Sequence, residues 1–219
     1  MADRIPLLEA LPELAAADAG DLRIDAAWVP AGPFLPERVA GATGAIVVLV
    51  SGLVARTMTL DDGSAAELLG PGALLSPPGS GDQERLGLPG YRVRFEALET
   101  SRIGIVGPQL LAGLAGRPKL VGALLAGCGR HDAERAAMRA IGRLTGVDRR
   151  LLAARQGRPT PDGVAVPVAI PHRLLAELVG ARRPTVTTAL RALRHSGELR
   201  RLDDGTWLLR DGAPPAQAA

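Results

Sequence analysis

The chain has 219 residues and a formal net charge of +3, with 47% hydrophobic but only 2% aromatic residues. One large domain or two modest ones can each bury a core at this length, built mostly from Ala, Val, Leu and Ile. The single cysteine, Cys128, excludes an intramolecular disulfide framework and any cysteine-ligated zinc or iron–sulfur site. The charge is uneven: residues 149–219 carry 12 arginines against 6 acids, while residues 1–148 carry 14 basic against 17 acidic residues. A basic C-terminal third beside an acidic remainder suits a nucleic-acid-binding module attached to something else. Only Lys119 is lysine, and so general an arginine bias lowers the weight of any one arginine. No charged-then-apolar leader and no apolar run of transmembrane length occur, so a soluble, cytoplasmic protein with no membrane partner is expected.

Residues 5–17, IPLLEALPELAAA, read as a short amphipathic helix broken or restarted around Pro12. From Leu22 onward short runs alternate with Gly- and Pro-rich turns. LRIDAAWV, AIVVLV, LVARTMTL, AAELL, YRVRFEAL and SRIGIV are expected strands, with PAGPF, AGATG, SG, DDGS and GPG as linkers. Asp62-Gly63 is a hairpin signal between two of them. Six or more short strands with frequent turns predict an antiparallel sandwich or roll. SPPGSGDQERLGLPG has no periodicity and is expected to be a surface loop.

After Pro108 the period becomes helical, first in PQLLAGLAG and then, from Pro118, in KLVGALLAGCGRHDAERAAMRAIGRL. Val121, Leu124, Cys128, His131, Arg135 and Met138 fall at heptad spacing, so this long helix is a candidate dimer seam. Gly122, Gly127 and Gly129 imply close approach by a partner helix, or a kink. DRRLLAARQ is a further short helix, and the Pro- and Gly-rich 157–169 segment is a linker or small ribbon.

Pro171 to Leu193, PHRLLAELVGARRPTVTTALRAL, then reads as two short helices joined at Gly180. Leu174, Leu175, Leu178 and Val179 form the buried face of the first, with Ala176 small enough to admit the second. Gly180 ends the first helix, where a left-handed residue is cheapest, and Pro184 opens the next. Val186, Ala189, Leu190 and Leu193 form the second buried face. ELRRL and TWLL, turned by Asp203-Asp204-Gly205, have the spacing of a two-stranded wing, and the last residues, 213–219, are expected to be a disordered tail. Trp28 and Trp207 are expected core residues of the roll and the wing.

The order of these parts resembles the Crp/Fnr family of bacterial transcription regulators over nearly the whole chain. LLAELVGARRPTVTTALRALRHSGEL carries the strongest likeness, supported by VSGLV, DDGSAAELLGPG and FEALETSRIGIV. The resemblance implies an α+β protein: an antiparallel β-roll of the double-stranded β-helix or jelly-roll type over 1–115, a dimerisation helix over 116–145, and a winged helix-turn-helix over 146–212. It also implies a homodimer joined through the 118–142 helix, a pseudo-palindromic double-stranded DNA site, and RNA polymerase as a further partner. Ser76-Pro77 stands where a cyclic-AMP-binding relative has Gly-Glu, and Tyr91-Arg92 replaces its arginine–hydroxyl pair. The iron–sulfur variant's cysteine cluster is missing, and His131, His172 and His195 all lie outside the roll, where the haem variant needs one. The expectation is therefore no cofactor, no metal, and an effector other than cyclic AMP.

Arg183, Thr187 and Thr188 are the expected base-reading residues, because arginine pairs with guanine and threonine meets the thymine methyl. His172, Arg182, Thr185, Arg191, Arg200 and Arg201 suit phosphates. Arg92, His131 and Asp132 are candidate effector contacts. Cys128 and His131, one turn apart, read as an ordinary seam pair rather than a redox or metal site. Two other classes stand beside regulation by an effector. One is a constitutive or architectural DNA-binding protein whose roll serves dimerisation or protein contacts. The other is a cupin-like enzyme, which a roll without histidine disfavours; no enzymatic activity is expected.

Overall fold

The computed structural model describes residues 3–11, 22–41, 45–61, 63–75, 90–114, 116–123, 146–147, 158–160, 163–166, 170–203 and 207–209. The chain divides into two compact units, residues 1–136 and 137–219. The protein is α+β, with the expected roll in the first unit and a winged helix-turn-helix in the second.

In the first unit, β1 (Asp3–Pro6), β2 (Arg23–Val29), β8 (Ser101–Val106) and β4 (Ile46–Ser51) form one sheet in the order β1-β2-β8-β4. The second sheet, in the order β3-β7-β5-β6, comprises β3 (Gly32–Phe34), β7 (Arg92–Ala97), β5 (Val54–Leu60) and β6 (Gly63–Leu69). All pairings are antiparallel. Within this sheet β4 is buried on both faces, which is why AIVVLV reads as an unbroken apolar run. Val47 and Leu49 pack with Val29, Ile103, Val54, Leu69, Phe95 and Ala97 between the two sheets. Val48 and Val50, alternating to the opposite face, pack with Ile24, Ala26 and Val106 under Leu7 and Ala10 of α1 (Leu7–Ala10), Leu114 of α3 (Pro108–Leu114) and Leu120 of α4 (118–123). The segment after β6 covers the edge of β4, with Leu49 N–H donating to Ala73 O at 2.9 Å and Leu75 N–H to Val47 O at 2.7 Å.

All six expected strands are present, and the hairpin of β5 and β6 closes with Leu60 paired to Gly63. Three expectations are corrected. Ile5 and Pro6 belong to a strand, not a helix: Ile5 pairs with Ile24, so the helix holds only Leu7–Ala10 in the described residues. PAGPF is not only a linker, because Gly32–Phe34 pairs with β7, where Pro33 is tolerated on an edge strand. It leads into an unanticipated α2 (Pro36–Ala40), closed by Gly41 in the left-handed region at φ 64°. Trp28 is not a core residue. It shares its face of β2 with Ile24 and Ala26, but it is 62% exposed. Its ring lies 5.6 Å from the guanidinium of Arg102, which bonds Asp3 at 2.5 Å and Glu9 at 2.6 Å. The expected loop over 76–89, the helix over 148–156 and most of the long 118–142 helix lie outside the described residues.

Two glycines of the first sheet are dictated by close approach. At Gly104 a Cβ would stand 2.6 Å from Ile24 Cδ1 and 3.0 Å from Val48 Cγ1, so the position has no room for a side chain. Gly52, between β4 and β5, combines φ +102° with a Cβ position 2.8 Å from Ser101 Cβ, and Ser101 is fully buried. Gly52→Ala is therefore expected to lower stability by about 1–3 kcal/mol in urea unfolding. Gly70→Ala, which meets nothing within 4 Å, is the control and should stay within about 0.5 kcal/mol of the parent.

Candidate nucleic-acid interface

The second unit is built on α5 (His172–Val179) and α6 (Arg183–His195). Gly180 takes the left-handed conformation at φ 61°, and Ala181 N–H reaches back to Ala176 O at 2.9 Å, closing α5 as glycine caps do. Arg182 is extended and caps α6, which begins at Arg183, one residue before Pro184; the proline still occupies the first turn, where its missing N–H is harmless. Leu174, Ala176, Leu178 and Val179 of α5 are buried, as are Val186 and Leu193 of α6, and the two helices pack together. Leu175, Ala189 and Leu190 are half-buried at the margins.

The wing lies against this pair. β11 (Leu199–Arg201) and β12 (Trp207–Leu209) form the expected ribbon, and α6 packs on β11. The 157–169 segment contributes two more strands, β9 (Arg158–Thr160) and β10 (Gly163–Val166), giving a four-stranded sheet in the order β11-β12-β10-β9. The side chain of Trp207, an expected core residue, lies outside the described part.

Opposite Val186 and Leu193, α6 exposes Pro184, Thr188, Arg191 and His195 as one stripe at i, i+4, i+7 and i+11. Arg183 and Thr185 flank the N-terminal end of this stripe, both exposed, and Arg182 is exposed just before the helix. Arg200 and Arg201 are exposed on the wing. The helix, its cap and the wing therefore expose five of these arginines, four of them at or beyond the ends of α6, and the helix N-terminus adds positive potential at Arg182 and Arg183.

The threonines differ from one another. Thr188 is exposed, and its hydroxyl donates to Pro184 O at 3.1 Å. Thr187 is half-buried; its hydroxyl lies 3.1 Å from both Arg183 O and His172 Nδ1. Backbone-directed bonds of this kind let threonine sit in a helix at small cost. His172 is thus held between α5 and the middle of the first turns of α6. The sequence has no signal for this pair, since helical spacing relates residues within one helix only. The stripe of Pro184, Thr188, Arg191 and His195, in contrast, follows from helical spacing alone.

Of the candidate effector residues, Arg92 is exposed and alternates to the outer face of β7, away from Val93 and Phe95. His131, Asp132 and Cys128 lie outside the described residues. Among the described residues no group of three or more His, Cys, Asp and Glu is placed to hold a metal ion. No described helix is long and apolar enough to cross a membrane.

Comparison with known proteins joins these features. Residues 147–212 match the Crp-like helix-turn-helix domain family. This chain carries a Crp-like helix-turn-helix domain. Its fold is that of CRP/FNR regulators over most of its length, as the sequence resemblance implied. FixK2 from Bradyrhizobium japonicum is similar with 20% identity and a TM-score of 0.59, over 87% of this chain and 94% of that one. A CooA mutant from Carboxydothermus hydrogenoformans is similar with 16% identity and a TM-score of 0.57, over 86% and 84%. The c-di-GMP responsive regulator CLP from Xanthomonas campestris follows with 16% identity and a TM-score of 0.55, over 85% and 94%. No curated protein matches the chain by sequence.

The packing of the Crp-like domain yields a direct test. Ala176 is 7% exposed on the α5 face that packs on α6. Ala176→Leu is expected to overpack this contact and cost about 1–3 kcal/mol in denaturant unfolding. Ala192→Leu, on the exposed side of α6, should change stability by less than about 0.5 kcal/mol.

Proposed function

We propose that the chain is a sequence-specific DNA-binding transcription regulator, a homodimer without enzymatic activity, acting in the cytoplasm. The observation that carries this is the exposed row of α6 within a Crp-like helix-turn-helix domain: arginine and threonine outward, Val186 and Leu193 fully committed to the core. A second helix of this motif enters the major groove with its N-terminal residues against base edges. Arg183 and Thr188 then read bases. Thr187, whose hydroxyl is engaged with Arg183 O and His172, offers mainly its methyl group. Arg182, Thr185, Arg191, Arg200 and Arg201 contact phosphates, and His172 supports them from the start of α5.

In the same proposal the roll spans 1–115, the dimerisation helix 116–145 and the DNA-binding domain 146–212. Two subunits pair through the 118–142 helix and read a pseudo-palindrome with half-sites about one helical turn apart. An effector other than cyclic AMP, received in the roll, changes the dimer arrangement and so the spacing of the two reading heads. RNA polymerase is the further partner. The resemblance of the roll to CRP/FNR regulators supports the gating, because a roll of this kind is shared with the c-di-GMP responsive CLP.

Substitutions separate the two kinds of contact. Arg183→Ala is expected to relax the preference at one position per half-site, costing about 1–3 kcal/mol on the preferred sequence. Arg200→Ala should weaken binding on all sequences alike and reduce the slope of log affinity against log salt by about 1 per subunit. Fluorescence anisotropy on preferred and scrambled duplexes across a salt series checks both. Equal weakening on all sequences by Arg183→Ala would make that residue a phosphate contact.

A further inference from the structure

The outward side of α6 is apolar where its first two turns meet. Pro184 and Thr188 are both exposed and stand four residues apart, neighbours on one face of the helix. A bond joins them: the Thr188 hydroxyl donates to Pro184 O at 3.1 Å. A threonine hydroxyl has a single proton, so Thr188 has none left for a partner outside the helix. Pro184 lacks an N–H, and its side chain is a hydrocarbon ring. The pair therefore turns outward a ring and a methyl group, and no donor.

Thr187, half-buried beside them, repeats the arrangement. Its hydroxyl oxygen lies 3.1 Å from both Arg183 O and His172 Nδ1, so it too is turned into the protein. Charge frames this patch rather than filling it: Arg183 precedes Pro184, and Arg191 lies one turn beyond Thr188 on the same stripe, both exposed. Helix stability accounts for Pro184, which suits a first turn. It does not account for two adjacent threonines, which are poorer helix formers than alanine.

In the major groove the base edges offer donors and acceptors, together with one prominent apolar group, the 5-methyl of thymine. We infer that Pro184 and Thr188 read the 5-methyl group of a pyrimidine by apolar contact, with the Thr187 methyl at its margin. Pro184 is then a specificity-determining residue in its own right. Thymine satisfies the contact. So does 5-methylcytosine, which carries the same group on the same ring carbon, and binding therefore responds to cytosine methylation within the half-site. This rests on the proposed reading of DNA by α6 and names what two of its residues recognise.

Fluorescence anisotropy with the full chain tests the contact, on the duplex enriched by selection from a random-sequence library. Each thymine of a half-site is replaced in turn by deoxyuridine, which pairs as thymine does and lacks only the methyl. At one or two positions the replacement should weaken binding by about fourfold for each methyl lost. At the same position, 5-methylcytosine should bind more tightly than cytosine by a similar factor. Thr188→Val, which keeps the methyl and loses the hydroxyl, should retain the preference for thymine over deoxyuridine. Thr188→Ser, which does the opposite, should weaken that preference, and so should Pro184→Ala. The preference is a ratio of affinities of one variant for two duplexes, so a change in helix stability cancels from it. Equal binding of thymine and deoxyuridine duplexes at every position overturns the inference while leaving DNA reading by α6 in place. A preference unchanged in both Thr188→Ser and Pro184→Ala overturns it as well, as does one lost in Thr188→Val and kept in Thr188→Ser, which makes the hydroxyl the reading group. Enrichment of no duplex is a failure of the DNA reading itself, and the inference falls with it.

Discussion

The burial of Val179 and Val186, both without solvent exposure, fixes how the second helix of the motif is presented. Each lies on the facing side of its helix, and the left-handed Gly180 between them sets the angle at which α6 leaves α5. With that side of α6 committed to the core, its opposite side has no choice but to display Pro184, Thr188, Arg191 and His195. The bond geometry of His172 and Thr187 ties the start of α5 to the first turns of α6. The chemistry offered to DNA is thus a consequence of packing, and the arginines at the helix start are aimed by it.

The roll shows the same logic with an opposite result. In its first sheet β4 is buried on both faces, so it is apolar from Ile46 to Val50, and Gly104 leaves room for Ile24 and Val48. Its second sheet is apolar at one end and opens at the other, and the only charges on its inner face face each other there, at Arg56 and Glu67.

Much of this was legible in the sequence, for identifiable reasons. The strands announced themselves through alternation and Gly-rich turns, and the helix-turn-helix through apolar spacing broken at Gly180. The misreadings share one cause: local pattern does not say what a residue meets from elsewhere in the chain. Trp28 has the size and face of a core residue, yet it is 62% exposed. Ile5 has helical neighbours, but its pairing with Ile24 makes it strand. Gly32–Phe34 looked like a turn because Gly and Pro dominate it, while its pairing partner, β7, lies some 60 residues away in sequence. Arg56 and Glu67 are eleven positions apart and join only through strand register, so neither stood out. The base-reading and phosphate candidates, in contrast, lie on one helix and one wing, where spacing suffices to group them.

Selection of bound duplexes from a random-sequence library tests the central claim most directly. The account predicts enrichment of a two-fold-symmetric site whose half-sites are about one helical turn apart. Its affinity should fall steeply as salt rises. Enrichment of no symmetric sequence, with binding that is equal on all duplexes, would contradict it.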